Sequence, residues 1–393
     1  MYRCEVVVVG GGPGGSAVAA VLARANIDVL LLEKEEYPRF HIGESLLPAS
    51  MPILKELGAL DLISSGRYIK KLGARFIDYQ SEDEIYFGFA DGFNPDIPSA
   101  FEVPRAEFDR DLLENARRFG AKIGQPETVL EFELKSDGIE LQTSKRRIVA
   151  EYLVDASGRV SLIGKRLKIR QVVPDLNNVA VFAHFEGVTR TEGPREGDIT
   201  IGLLPDRAWT WMIPFKGNVT SVGVVASQKF FGAPDLEEYF DRMVLGSATV
   251  SRMMEGARRV TPLHCIGNYS HTCQSLFGER WLLVGDAAMF LDPVFSSGVH
   301  LSLSSGLQAA KTLIRALPQK SALTDPELGL SYENWYRKGV GRFHNLISLF
   351  YQGHFVGHMK KTLIRENMRK CFTSALAGDV WNDNNFLFEK QIL

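Results

Sequence analysis

The most constraining feature of this chain lies near its amino terminus, where an apolar run, a glycine cluster and an alanine-rich run follow one another without interruption. Cys4-Glu5-Val6-Val7-Val8-Val9 has the β-branched composition of a buried strand, and Ser16-Ala17-Val18-Ala19-Ala20-Val21-Leu22-Ala23 that of a helix. Between them Gly10, Gly12 and Gly15 fit the G-x-G-x-x-G spacing of a dinucleotide-binding turn, with Pro13 and Gly14 inside it. The first glycine permits the tight turn, the second lets backbone approach a pyrophosphate, and the third lets helix pack on strand. N–H groups at the helix start then face phosphate. A second apolar run, Val29-Leu30-Leu31-Leu32, ends in Glu33, where an acid should accept hydrogen bonds from ribose hydroxyls.

That unit accounts for a small part of 393 residues, so a second subdomain is expected. A net charge of −2 gives no reason to expect nucleic acid or an anionic membrane as partner. Met1-Tyr2-Arg3 runs straight into the first strand, which leaves no room for a signal peptide, and no apolar run reaches the length of a membrane span. Cys4, Cys265, Cys273 and Cys371 form no C-x-x-C pair and suggest neither a disulfide framework nor a metal site. A reducing, cytoplasmic compartment is the expectation.

Helical spacing recurs over residues 51–60, 107–119 and 298–317, and the chain from Asp325 onward reads as helical and aromatic. Residues 70–101, 129–143 and 179–225 read as short, mostly alternating strands, with further strands at 148–154 and 282–284. The strand at 148–154 ends in Asp155-Ala156-Ser157-Gly158, where Asp155 either caps the turn or faces a ligand. The strand at 282–284 ends in Gly285-Asp286, a carboxylate suited to ribityl or ribose hydroxyls, with a helix start near Gly298 beyond it. There is no internal repeat and no second G-x-G-x-x-G.

In that order, Gly10–Gly15, Asp155-Ala156-Ser157-Gly158 and Gly285-Asp286 resemble the flavoprotein superfamily of p-hydroxybenzoate hydroxylase, and Arg105 with Phe108-Asp109 and Leu112 resembles its FAD-contacting arginine segment. The resemblance implies an α/β fold: a Rossmann-like FAD-binding domain interleaved with an antiparallel β-sheet substrate domain and a short helical C-terminal region. The implied division is 1–75, 102–170 and 275–325 for FAD, 76–101 and 171–274 for the sheet, and 326–393 for the cap. It also implies FAD contacts at Gly10, Gly12, Pro13, Gly14, Gly15, Glu33, Arg39, Ser45, Arg105, Val129, Gly285, Asp286 and Gly298. Without a second fingerprint, either nicotinamide visits transiently or reduced flavin comes from a separate flavin reductase.

Three further stretches bear on the reaction. Trp209-Thr210-Trp211-Met212-Ile213-Pro214 places two tryptophans on one face of a strand. Lys70-Lys71 precedes Leu72-Gly73-Ala74, and residues 291–301 contain Asp292-Pro293 and Ser296-Ser297-Gly298 ahead of His300. The first is similar to the W-x-W-x-I-P signature of flavin-dependent halogenases, and the other two resemble their phenolic, pyrrole and carrier-bound branch. The resemblance implies that reduced FAD and O2 give a hydroperoxide attacked by halide held at Ser297-Gly298. Hypohalous acid then passes the Trp209–Trp211 wall to Lys71, preferred over Lys70 by motif position, which presents halogen to an electron-rich ring. The substrate is a small aromatic, free or on a carrier protein. Lysine suits the role because burial lowers its pKa. His300 reads as structural. The part after Leu317 matches no particular member. A geranylgeranyl reductase-like enzyme, disfavoured by Ile213 before Pro214, or an aromatic monooxygenase are the alternatives on this scaffold.

Overall fold

A computed structural model describes residues 1–173, 176–230, 235–267, 269–352, 355–362 and 365–388. The opening valines form the centre of a largely parallel sheet. Strand Tyr2–Val9 pairs in parallel with Val29–Leu32 on one side and Arg147–Asp155 on the other; Lys122–Gly124 and Trp281–Leu283 extend the two edges. Val6, Val7, Val8 and Leu31 are completely buried, each removing apolar surface worth about 1.5–3 kcal/mol from water. The hairpin Val129–Leu134/Ile139–Thr143 takes the first half of Arg147–Asp155, and Trp281–Leu283 takes the second.

Helix Pro13–Arg24 lies over this sheet and packs against Ser297–Ala316 and Arg105–Arg118. Small residues set that crossing: a Cβ on Gly306 would stand 2.5 Å from the Gly14 carbonyl oxygen. The helix read over 51–60 is two short ones, Ser50–Glu56 and Leu60–Ser64, parted by Gly58 at φ +66°. The one read from Glu107 starts at Arg105.

The second sheet runs Arg258–Arg259, Asn178–Glu186, Val219–Ser227, Trp209–Pro214, Ile199–Leu203, Gly73–Asp78, Glu84–Gly88. It is antiparallel as expected except for one pair, Ile199–Leu203 with Gly73–Asp78, which is parallel. Strand Gly73–Asp78 also crosses the boundary drawn at residue 75. Trp209–Pro214 is buried on both faces rather than alternating: Trp209, Trp211 and Ile213 join the main core, while Met212 packs with Val222, Val224, Tyr239 and Phe240 beneath helix Leu236–Val244. His264–Gly267 also pairs with Asn178–Glu186, Phe277–Gly278 pairs with Trp281–Leu283, and there are two small sheets, Arg170–Val172/His271–Cys273/Met289–Phe290 and Ile69–Lys71/Ala100–Glu102. The C-terminal part is helical, as read: Ser331–Tyr351, Phe355–Thr362 and Glu366–Leu376 close over the second sheet and the helix Ser297–Ala316. Among the described residues no helix is long and apolar enough to cross a membrane.

Candidate active site

Residues of the two large sheets and their connections enclose a cavity of about 600 Å³ that runs from the glycine turn to the tryptophan strand. Gly10, Gly12, Pro13, Gly14, Glu33, Arg39, Ser45, Arg105, Val129, Asp286, Gly298, Trp209 and Trp211 all contribute to its wall. Gly15, Gly285, Ser297 and Lys71 do not. Gly15 serves packing, since a Cβ there would collide with the Gly10 carbonyl, and Gly285 takes φ +58° against Ser302. Ser297 is buried in the first turn of its helix, beside Gly298.

At the glycine end, Gly10 sits at φ +108° with no room for a Cβ against Ala156, while Gly12 faces open space. Helix Pro13–Arg24 begins there with no side-chain cap, so its first N–H groups are available. Glu33 is buried, and its carboxylate accepts from Gly11 N at 2.7 Å and Glu35 N at 2.9 Å, which fixes its orientation with lone pairs to spare. Arg105 grips Asp109 through Nε and Nη2 at 2.8 and 3.0 Å and donates from Nη1 to the Ile42 and Gly43 carbonyls. It thereby pins the loop that closes the cavity. Arg39 stacks on Tyr37, and its buried Nη1 makes no hydrogen bond but lies 3.5 Å from Asp109 Oδ2 as an ion pair. Burial lifts the Asp286 carboxyl to about 6, with Arg105 and Arg159 opposing. A long cleft with a bare helix start, ribose-type acids and two arginines at its wall fits FAD.

At the other end, Trp209 and Trp211 lie on one face of their strand with ring centroids 5.7 Å apart and planes at 46°. Gly223 opposite Trp211 leaves the space that this indole fills. Trp211 Nε1 donates to Ser221 Oγ at 3.1 Å. Trp209 Nε1 donates to Tyr351 Oη at 3.0 Å, and Tyr351 donates to Asp292 Oδ2 at 2.9 Å. Asn178 Nδ2 donates to the same carboxylate at 2.9 Å. Burial raises Asp292 to about 6 despite these donors.

The neighbouring lysines separate cleanly: Lys70 is exposed and Lys71 is buried. Lys71 Nζ donates to Ser45 Oγ at 2.8 Å and to the Leu46 carbonyl at 3.2 Å, and lies 5.4 Å from the centre of the Phe89 ring. Burial pushes its pKa down, with Glu102 and Asp198 opposing. Ser45 belongs to the wall of the first cavity. Phe89 belongs to the wall of a second, of about 380 Å³, bounded also by Phe93, Trp335, Trp381, His300 and Ser304. His300 is structural in part, its Nδ1 bonded to Ser50 Oγ at 3.1 Å. Its Nε2 and Ser304 Oγ are buried without a well-formed hydrogen bond, and burial lowers the imidazole to about 4, with the Gly378 backbone opposing, so it is neutral near pH 7.

Sequence reading missed Glu102, the Tyr351–Asp292 link and the second cavity. Each depends on residues far apart in the chain, and no local pattern marks them.

Residues 3–333 match the family model of the FAD-binding domain. A 1H-pyrrole-2-carbonyl-[peptidyl-carrier protein] chlorinase of Pseudomonas fluorescens is 35% identical over 381 residues, covering 88% of this chain and 83% of that protein. A flavoprotein/dehydrogenase from Cytophaga hutchinsonii has a similar structure, with a TM-score of 0.89, 26% identity, and 99% and 96% of the two chains covered. The myxobacterial chondrochloren halogenase, an FAD-dependent halogenase, gives a TM-score of 0.82 at 29% identity, covering 100% of this chain and 93% of its own.

Proposed function

The chain belongs to the flavin-dependent halogenases, which are FAD-dependent oxidoreductases, and we propose from that premise that it halogenates an electron-rich ring of the phenol or pyrrole type by way of Lys71. One observation carries the reading: Lys71 is buried between the two cavities, touching the first through Ser45 and the second through Phe89.

Bound FAD supplies the activation of O2 that oxidises halide. The chain's own residues do the rest. N–H groups of Ser297 and Gly298, in the first turn of a twenty-residue helix, hold the halide. Trp209 and Trp211 exclude the organic substrate from that chamber. Lys71, its amine favoured by burial, receives halogen from hypohalous acid. The second cavity takes the ring: Trp335, Trp381 and Phe93 offer aromatic faces, while neutral His300 and Ser304 offer hydrogen bonds to a hydroxyl or ring N–H. Enclosure keeps the oxidant from water. The cofactor residues, the three-part division of the chain and a cytoplasmic setting belong to the same reading.

A separate flavin reductase fits the single nucleotide fingerprint. The chlorinase that acts on a carrier-bound pyrrole supports a substrate delivered on a carrier protein. The halogenases among its relatives favour this reading over isoprenoid reduction or ring hydroxylation.

The test supplies purified protein with FAD, a flavin reductase, NADH and bromide or chloride, and analyses phenols, pyrroles and carrier-bound pyrrole by mass spectrometry. Halide-dependent halogenation of one class is the expected result. Halide-independent NADPH oxidation triggered by an aromatic, or reduction of an isoprenoid double bond without oxygen, would contradict it.

A further inference from the structure

Glu102 is a fully buried acid that nothing so far explains. Strands Ile69–Lys71 and Ala100–Glu102 are antiparallel, with Ile69 opposite Glu102 and Lys71 opposite Ala100, so Lys71 and Glu102 share a face on the diagonal. Ser45 bridges to Glu102 along the backbone, and Val103 N donates to the Glu44 carbonyl at 2.7 Å. Three side chains therefore converge: the Lys71 amine, the Ser45 hydroxyl that accepts from it, and the Glu102 carboxyl. Neither Glu102 oxygen makes a well-formed hydrogen bond. A buried, poorly satisfied carboxyl is costly as an anion and calls for a reason.

We infer that Glu102 is a positioning residue for Lys71: with Ser45 it holds the proton that decides whether Lys71 presents a free amine. The inference rests on the reading of Lys71 given above.

The surrounding charges support it. Burial raises Glu102 to about 8, Asp198 and Glu44 push the same way, and Lys71 and the Ser45 hydroxyl oppose. Asp198 is held by the Leu72 and Gly73 N–H groups and by Tyr86, over which Arg195 lies; Glu44 is held by His184. Burial disfavours the Lys71 ammonium and the Glu102 carboxylate alike, which favours a pair that shares one proton as amine plus carboxylic acid, without net charge.

The amine form is the one the chemistry needs. With hypohalous acid HOX as oxidant, the nitrogen lone pair takes X, the O–X bond breaks, and the departing hydroxide takes an amine proton to leave as water. When the ring then takes X from nitrogen, the N–X bond breaks and Glu102 returns a proton through Ser45 to the nitrogen. The halogenated ring cation loses its own proton, which restores the acid. The sum is R–NHX + ArH → R–NH2 + ArX.

The experiment measures ring halogenation and escaped hypohalite as a function of pH in FAD-loaded wild type, Glu102→Gln, Glu102→Asp and Lys71→Met. Glu102→Gln should be slower in ring halogenation by about a hundredfold, release more hypohalite, and lose the alkaline fall in rate; Glu102→Asp should recover that fall. A Gln variant that matches wild type, or that slows with an unmoved pH profile, overturns the inference and makes Glu102 structural. Should the Glu102 variants fail to fold, the 13Cε resonance of Lys71 in wild type, assigned by its loss in Lys71→Met, gives the answer: titration near neutral pH supports the pair, and an ammonium persisting to about pH 9 overturns it. Lys71→Met that halogenates like wild type removes the reading of Lys71 itself, whereas an inactive Lys71→Met beside an unaffected Glu102→Gln removes only this inference.

Discussion

At Gly10 a methyl group would collide with the Ala156 carbonyl from a backbone held at φ +108°. Gly10→Ala therefore combines a left-handed penalty of roughly 1–2 kcal/mol with a steric clash, and should lower the melting temperature and abolish FAD binding in a fluorescence titration. Glu102 makes a second prediction, in pH. Its carboxyl is raised to about 8, against about 4.3 in an unfolded chain. Between those values the unfolded chain has released a proton that the folded chain retains, so stability falls as pH rises through the window and the loss is complete above about 8. Lys71, shifted down by burial, works in the opposite direction but is present in both chains. Urea unfolding at about pH 5 and about pH 9 should thus show wild type losing more stability than Glu102→Gln; equal losses would contradict the shift. These two residues also mark what a sequence discloses. A glycine that must take positive φ announces itself through local spacing. Glu102 in Phe101-Glu102-Val103 looks like any polar position in a strand, because the segments beside it, those of Ser45 and Lys71 among them, come from elsewhere in the chain.

The strand Trp209–Pro214 shows the same division at the level of elements. Its tryptophans share a face, as period two requires, but burial on the opposite face comes from helix Leu236–Val244, which no local pattern connects to it. Likewise the helical, aromatic character of the C-terminal part was legible, whereas the bond from Trp209 to Tyr351 spans 142 positions and was not. That bond ties the cap to the tryptophan wall and, through Asp292, to the loop leading into Ser297–Ala316. Tyr351→Phe removes the donor to Asp292 and the acceptor for Trp209, a loss of about 1–3 kcal/mol. Denaturant unfolding should show that loss, and a trap for free hypohalite should show more oxidant escaping per halogenated product. Unchanged stability and unchanged escape would separate the cap from the wall.

Across the whole molecule, interleaving is what creates the arrangement. The chain leaves the parallel sheet after Val29–Leu32, contributes Ile69–Lys71 and then Gly73–Asp78 of the second sheet, and returns, so Lys71 sits on the segment that leads from one large sheet to the other. The fold class and the glycine end of the cleft could be read from motifs because phosphate binding constrains backbone locally; the second cavity could not, since its walls come from separated segments around Phe89, His300, Trp335 and Trp381. Because the first cavity draws on both large sheets, FAD should stabilise the whole chain. At a hundredfold excess over Kd the gain is about 2.7 kcal/mol, visible as a raised melting temperature, while FMN, which lacks the part that would reach Gly12 and Glu33, should give less. The most direct test of the central claim is the fate of the oxidant in Lys71→Met. Supplied with FAD, reductase, NADH and halide, the variant should consume oxygen and release hypohalite to a trap while giving no halogenated ring. Ring halogenation at the wild-type rate would show that Lys71 does not carry halogen between the two cavities.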